Sequence, residues 1–369
     1  MKESAGFHAF PALLGLALLS VSVLAHAQWA PSKPVEFVVP AGSGGGADQM
    51  ARFLQGVIAK NNLMTQPMVV VNKAGNAGAE GFLYIKNAPG DGHKIVITLS
   101  NLFTTPLATG VAFNWKDLTP INMLALDEFV LWVHAESPFK TAGDFVQAVK
   151  KGKPGQYKMG GTGSRQEDQI LTAAIEKVVG NKMTYLPFTG GGDVAMQLVF
   201  RRVDATVNNP IEAVTHWKSG SLRPICVFDT AAMPYPRAIT STHSWKDLPS
   251  CKSQGLDVEY LMLRGIFMGP GATAEQVGFY VELFNKVREL PEWKLFLEGG
   301  GLKGTVLSGK NFQEWLLKAE AEHYRLMNEA GFLVNSQAAS PESGHKRELK
   351  TDRSKSGGWS WIWNWNWNW

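Results

Sequence analysis

Strand-like and helix-like segments alternate along most of this chain, and this alternation constrains its fold more than any other sequence feature. Short apolar runs at 35–39 and 68–71 are each followed by a turn and then by a predicted helix. The same order recurs around residues 129–133, 157–160 and 184–187. Strands that alternate with helices in this way are typical of βαβ units and mostly parallel sheets. The sequence therefore predicts an α/β protein.

The length and composition allow two packed domains and argue against a nucleic-acid-binding protein. The chain has 369 residues, of which 45% are hydrophobic and 18% charged, as in soluble globular proteins. Its formal net charge is only +4, whereas nucleic-acid binders usually carry a concentrated basic face. From about Thr273 the pattern becomes helical, and we expect helices over 274–289, from Pro291 onward, and over 312–330.

The first residues have the pattern of a secretory signal peptide. The apolar run at 13–24 is long enough for the hydrophobic region of such a peptide and too short to span a bilayer. It ends in Ala25-His26-Ala27, so we expect residues 1–27 to be removed and the mature chain to be periplasmic. A buried core helix is the alternative. The cleavage site carries no Cys for a lipid anchor, and no later apolar run has membrane-spanning length.

Cys226 and Cys251 are the only two cysteines of the chain. In an oxidising compartment two such thiols can pair, and closing a loop of about 25 residues would add roughly 3 kcal/mol of stability. Two buried free thiols are the alternative, and the sequence leaves both open.

Residues 335–369 differ from the rest of the chain. The part at 336–358 is polar and charged, which is typical of a disordered segment. The part at 359–369 places Trp at every second position, as a strand would, but no turn or partner strand accompanies it. A binding stripe, an aggregation-prone strand and translated repetitive DNA are the alternatives. We favour the last and assign this segment no function.

Three glycine-rich loops each follow a predicted strand and precede a predicted helix. They lie at 40–48, 160–164 and 189–193. Glycine lets the backbone approach a ligand closely, and the free amides at a helix N-terminus attract anions. In two facing lobes such loops converge on one cleft, which predicts an anion-binding site. Any one of the loops alone would be interpreted as a tight turn.

The first loop also matches the dinucleotide-binding fingerprint G-x-G-x-x-A from Gly42 to Ala47. That fingerprint expects an acidic residue at the end of the next strand, where Asn72-Lys73 stand instead. A P-loop is excluded because no Gly-Lys-Ser/Thr follows. We therefore expect no cofactor.

Polar residues beside these loops are further candidates for the site. Ser100 and Asn101 follow one strand and Asn208 follows another, and their side chains can bind a carboxylate or a bound water. Capping a helix is the alternative role for each of them. Arg165 can pair with a second ligand carboxylate, the alternative being a solvated side chain at a helix start.

Motifs of hydrolytic and metal chemistry are missing from the sequence. No serine lies in G-x-S-x-G, H-E-x-x-H does not occur, and the eight histidines lack metal-ligand spacing. Glu167 and Asp168 form a carboxylate pair at a helix start, where negative charge complements the helix dipole, and we interpret them as structural. We expect neither an enzyme nor a metal site.

The order and spacing of these motifs resemble the solute receptors of tripartite tricarboxylate transporters, the Bug-type receptors. The resemblance covers about residues 29–333. The motifs that carry it are W-x-x-x-K-P-V at 29–35, V-V-P at 38–40, G-G-G-A-D-x-x-A-R at 44–52, V-V-N-K-x-G at 70–75, A-P-x-D-G at 88–92, G-x-G-S at 161–164, P-F-T-G-G at 187–191, V-D at 203–204 and G-P-G-x-T at 269–273.

The resemblance implies a two-lobed periplasmic-binding-protein (Venus flytrap) fold, with mostly parallel sheets flanked by helices. It also implies that main-chain amides and ordered waters of both lobes hold a ligand carboxylate. The residues that it assigns to the site are Gly44, Gly45, Gly46 and Ala47 on one side, Gly163, Ser164, Gly190 and Gly191 on the other, and Ser100 nearby. Asn208 stands where an Asp is frequent in the family, and the loss of that negative charge favours a more anionic ligand.

We expect lobe one to comprise residues 28–130 and 251–334, and lobe two residues 131–250, so that two crossings of the chain form a hinge. The expected function is that of a monomeric receptor. It would clamp a small carboxylate, such as a di- or tricarboxylate or an aromatic acid, and pass it to the subunits of a membrane transporter. A secreted hydrolase and a surface adhesin that uses the Trp-rich tail are the alternatives.

Overall fold

The predicted strands form two separate β-sheets in the computed structural model, which describes residues 29–334. The predicted signal peptide, residues 1–27, and the predicted Trp-rich tail, residues 335–369, lie outside the described residues. The strands are β1 (Val35–Val39), β2 (Met68–Asn72), β3 (Lys94–Thr98), β4 (Thr119–Asp127), β5 (Val130–His134), β6 (Lys158–Thr162), β7 (Thr184–Phe188), β8 (Ala205–Thr206), β9 (Leu222–Val227), β10 (Met262–Met268), β11 (Leu302–Lys303) and β12 (Leu307–Ser308). The helices are α1 (Gly46–Lys60), α2 (Ala79–Lys86), α3 (Asn101–Thr109), α4 (Ala142–Lys151), α5 (Glu167–Val179), α6 (Gly191–Val199), α7 (Pro210–Lys218), α8 (Ala274–Glu289), α9 (Pro291–Gly300) and α10 (Gly309–Glu329).

Each sheet is the centre of one lobe. The first has the strand order β11-β4-β10-β3-β1-β2, with β12 also paired to β4, and the second has the order β7-β6-β8-β5-β9. The prediction of a two-lobed α/β fold is confirmed. The sheets are mixed rather than mostly parallel, because β5 pairs antiparallel with β8 and β9, and β10 pairs antiparallel with β3 and β4. These are the two strands that the chain enters after it crosses between the lobes.

The chain crosses between the lobes at two places. The first crossing consists of Glu128 and Phe129, the two residues between the end of β4 and the start of β5. The second precedes β10, and the side chains of Leu256, Val258 and Tyr260 still pack in the core of lobe two. The lobe boundary that the sequence placed at residue 251 stays a prediction.

Alternating side chains of the first sheet fill two cores, one on each face. Phe37 and Ile95 pack against α1 and α8, whereas their neighbours Val38 and Val96 pack in the opposite core with α2 and α10. A strand that is buried on both faces is apolar at nearly every position, which explains the apolar runs in the sequence. In β1 only the partly buried Glu36 interrupts the run.

Helix boundaries follow from capping residues that the sequence displays. The side chain of Thr141 accepts a hydrogen bond from the Asp144 amide at 3.1 Å at the start of α4. Helices α3, α5 and α9 end at Gly110, Gly180 and Gly301, all in the left-handed conformation that glycine adopts without a steric penalty.

A disulfide joins Cys226 of β9 to Cys251, with the two Cα atoms 4.8 Å apart. Both residues are fully buried in the core of lobe two. The bond ties the segment that follows β9 to the sheet. Of the two alternatives that the sequence left open, the structure has the paired one.

Helix α10 contacts both lobes. Phe312 and Leu316 near its start pack in a core of lobe one, whereas Met327 near its end packs in the core of lobe two. Lys177 of α5 reaches Glu329 at 3.0 Å. Among residues 29–334, no helix combines the length and the apolar character needed to cross a membrane.

Candidate ligand-binding cleft

A cleft of about 600 Å³ lies where the glycine-rich loops of the two lobes face each other. This volume lies within the range of small-molecule sites. The residues that line it are Pro40, Ala41, Gly42, Gly45, Gly46, Ala47, Ala74, Gly75, Ala77, Gly78, Leu99, Asn101 and Met262 from lobe one and the second crossing, and Phe129, Thr162, Gly163, Ser164, Gln166, Glu167, Asp168, Phe188, Thr189, Gly190, Gly191, Asn209 and Glu212 from the first crossing and lobe two. A larger groove of about 940 Å³ runs between α5 and α10. None of the glycine-rich loops borders that groove, so we place the site in the smaller cleft.

Most of the residues that the sequence assigned to ligand binding meet in this cleft. Its walls include Gly45, Gly46, Ala47, Asn101, Gly163, Ser164, Gly190 and Gly191. All three glycine-rich loops end strands at the facing edges of the two sheets, which is why they converge. Their contact with a ligand stays a prediction.

Four of the assigned residues are not among the described residues that line the cleft. The Gly44 amide donates to Asp48 Oδ2 at 2.9 Å, and the Arg165 guanidinium donates from Nη1 to the Ala108 carbonyl at 3.3 Å. Ser100 is fully buried. Asn208 is also fully buried, and its Nδ2 donates to the Gly191 carbonyl at 2.8 Å. The structure thus gives three of these groups partners within the protein, which spacing along the chain did not indicate.

Two of the loop amides already have acceptors in the protein. The Gly163 amide donates to the Phe188 carbonyl at 2.9 Å, and the Gly46 amide donates to Glu212 Oε1 at 3.0 Å. The amides in the first turn of α6 differ, because amides at a helix start have no intrahelical acceptor. Gly190, which precedes α6, provides no side-chain cap. The N-terminus of α6 is therefore the clearest place for an anion.

Glu212 is a residue of the cleft that the sequence interpretation did not assign to the site. Besides the Gly46 amide, its carboxylate accepts hydrogen bonds from Asn208 Nδ2 at 3.0 Å and from the Asn209 amide at 3.2 Å. It lies in the first turn of α7 in lobe two, so its bond to Gly46 joins the two lobes. A Cβ atom on Gly191 would overlap the Glu212 carboxyl group, which explains why glycine stands there. The sequence signal was the capping-box spacing of Asn209 and Glu212, which reveals a helix start but no interlobe contact.

Glu167 and Asp168, interpreted from the sequence as structural, both line the cleft. Asp168 stabilises the glycine-rich loop at 160–164, because its Oδ2 accepts a hydrogen bond from the Thr162 amide at 2.6 Å. Burial raises the pKa of the Asp168 carboxyl well above its ordinary value, and the nearby Glu212 carboxylate raises it further. Burial also raises the pKa of Glu167, although main-chain amides of Glu167 and Asn101 oppose that shift.

Two acceptor atoms of the cleft lack a hydrogen-bond partner among the described residues. They are Glu167 Oε1 and Asn101 Oδ1, on side chains that are only 6% and 4% exposed. The orientation of the Asn101 amide is fixed, because its Nδ2 donates to the Pro40 carbonyl at 3.0 Å. A buried acceptor without a donor costs free energy, so both atoms are suited to a ligand or a water molecule.

None of the described residues that line the cleft is a lysine, an arginine or a histidine. Arg264 lies behind the Gly46 backbone, and its Nε donates to Asp127 Oδ2 at 3.0 Å. Both side chains of this ion pair are fully buried, and burial raises the pKa of Asp127 to about 6 despite Arg264. Within residues 29–334, no group of three or more His, Cys, Asp and Glu side chains has the arrangement of a metal site.

Comparisons with known proteins agree with this geometry. The model of the tripartite tricarboxylate transporter family receptors matches residues 50–315. Protein BugT of Bordetella pertussis is 25% identical over 228 residues, which cover 59% of this chain and 68% of that protein. The structure is similar to that of the periplasmic binding protein BugD, with a TM-score of 0.73 and 20% identity over 82% of this chain and 99% of that one. It is also similar to a protein of R. palustris solved with adipate, with a TM-score of 0.74 and 21% identity over 82% of this chain and 98% of that one.

Proposed function

Because this chain belongs to the family of tripartite tricarboxylate transporter receptors, we propose that it binds a small carboxylate between its lobes in the periplasm and delivers it to a membrane transporter. The observation that carries the proposal is the cleft itself, into which both lobes direct glycine-rich loops at helix starts. Such loops provide amides that bind anions without a charged side chain. A ligand held by both lobes favours the closed form, which a transporter can distinguish from the open one.

The affinity that this arrangement can provide is sufficient for a receptor. Each charge-assisted hydrogen bond contributes about 1.5–3 kcal/mol. A handful of such bonds gives micromolar affinity or better after the costs of association are subtracted. We therefore expect dissociation constants in or below the micromolar range for the natural ligand.

A thermal-shift screen against small acids tests this proposal. The panel should contain dicarboxylates including adipate, tricarboxylates, aromatic acids, amino acids and, as controls, neutral sugars. A ligand at 100 times its dissociation constant stabilises the folded state by about 2.7 kcal/mol, which is readily measured. A panel in which only the neutral sugars raise the melting temperature would contradict the proposal.

We also propose that the protein releases its ligand unchanged, as a receptor does, rather than converting it as a secreted hydrolase would. Incubating the purified protein with each acid that stabilises it, followed by mass spectrometry of the solution, separates the two functions. Turnover of any of these acids would favour the hydrolase. The periplasmic location has its own test, since mass spectrometry of the exported protein should find a mature N-terminus at Gln28.

A further inference from the structure

We propose that the ligand carries a protonated amine in addition to its carboxylate, and that Glu167 Oε1 and Asn101 Oδ1 bind this amine from opposite lobes. The inference rests on the proposed function, because it specifies the ligand class of the same cleft. It makes Glu167 a specificity-determining residue for a zwitterionic solute.

The first argument is the balance of charge. Three carboxyl groups line the cleft, those of Glu167, Asp168 and Glu212, and no cationic side chain is present among its described lining residues. The Arg264 guanidinium behind the wall is already paired with Asp127. A ligand with two or three carboxylates would therefore find no cationic side chain in the cleft, whereas an ammonium group would find carboxyl oxygens as acceptors.

The second argument is the pair of unpartnered acceptors. Asn101 Oδ1 is neutral and belongs to lobe one, whereas Glu167 Oε1 belongs to lobe two, and neither has a donor among the described residues. Both residues line the same cleft. An ammonium group has three donors and no acceptor, so it can satisfy both atoms at once, which a carboxylate cannot do.

The third argument is that, of the three carboxyl groups, only that of Glu167 has a buried oxygen without a donor among the described residues. Glu212 accepts three hydrogen bonds, and Asp168 accepts one from the Thr162 amide. Glu212 also occupies the Gly46 amide, and its carboxyl group lies against Gly191, so the ligand carboxylate is left with the main-chain amides of the first turn of α6. The ligand would then have its negative end at α6 and its positive end at Glu167, with the amine joining the lobes.

Matched pairs of ligands test this inference directly. Adipate and ε-aminocaproate have similar length and differ in whether the far end is a carboxylate or an ammonium group. Malate and aspartate differ only in a hydroxyl against an ammonium group. Isothermal titration calorimetry at neutral pH should find the amine member of at least one pair bound about ten- to hundredfold more tightly than its partner.

The variant Glu167→Gln keeps the shape of the side chain and removes its charge, and it should abolish most of that preference. The matched control is Glu176→Gln, which lies near the other end of α5 and outside the cleft. This control should keep the wild-type preference. If Glu167→Gln does not fold, the comparison of the ligand pairs on the wild-type protein still decides the charge argument.

The outcomes separate this inference from the proposed function. If adipate and malate bind as tightly as ε-aminocaproate and aspartate, or more tightly, the inference is wrong and the receptor function stands. If Glu167→Gln keeps the preference for the amine, the assignment of Glu167 is wrong. If no carboxylate of either kind binds and only neutral solutes do, both proposals fall.

Discussion

Replacing Gly191 by alanine should break the contact through which Glu212 joins the lobes. A Cβ atom at this position overlaps the Glu212 carboxyl group, and that group cannot yield freely because three donors hold it. Moving it away breaks at least the charge-assisted bond from the Gly46 amide, which costs about 1.5–3 kcal/mol. We therefore expect a measurable loss of stability and weaker ligand binding.

The matched control for this change is Gly192→Ala in the same helix turn. A Cβ there lies 3.5 Å from the Gly44 carbonyl oxygen, an ordinary contact, and alanine is favoured over glycine in helices. With an unfolding entropy of about 2.1 cal/mol/K per residue over about 300 residues, Gly191→Ala should lower the melting temperature by about 2–5 °C relative to this control. Differential scanning calorimetry measures the difference. Equal melting temperatures and equal ligand affinities for the two variants would refute the reasoning.

Three further predictions concern the disulfide, a buried carboxyl group and the C-terminal segment. Replacing both Cys226 and Cys251 by serine removes the covalent link between two positions that are 25 residues apart in the chain. This should cost about 3.5 kcal/mol in chemical unfolding, with the wild-type protein in reductant as the parallel measurement. Burial, together with the nearby Asp229, raises the pKa of Glu128 from its ordinary value of 4.5 to about 9 in the folded protein. The stability that its protonated form contributes is fully present below pH 4.5 and is lost as the pH rises towards 9. Glu128→Gln should therefore raise the melting temperature increasingly across that pH range, and a constant difference would contradict the assignment. Deleting 335–369 should leave the affinity for carboxylates unchanged in calorimetry, whereas an adhesin that binds through this segment would lose its target.

The elements of the fold could be predicted from local sequence signals. The apolar runs at 37–39 and 95–97 reveal strands that are buried on both faces, and the three glycine-rich loops show where α1, α5 and α6 begin. The direction of β5 and β10 could not be predicted in the same way. It depends on which sheet each strand joins after crossing, and neighbouring residues do not encode that choice.

Residues of the site could be predicted only where they belong to a motif of neighbouring residues. The glycine-rich loops of the cleft belong to this class, since glycine signals a close approach of the backbone. Glu212 does not, because its bond to Gly46 joins residues that are far apart in the chain. Arg165 stands beside a glycine-rich loop and donates to the Ala108 carbonyl, and its contact with a ligand stays a prediction. Charge alone did not reveal which way the side chain points.

The first crossing also determines how this protein can move. Only Glu128 and Phe129 separate β4 from β5, and the Phe129 side chain is fully buried. So short a connection has few rotatable main-chain bonds, and we expect it to let the lobes rotate about it rather than slide past each other. The displacement produced by such a rotation grows with distance from the crossing. Dyes attached at the outer rims of the two lobes would therefore undergo the greatest change in separation. The chain is therefore a natural scaffold for an optical sensor that reports solute capture as energy transfer between the two dyes.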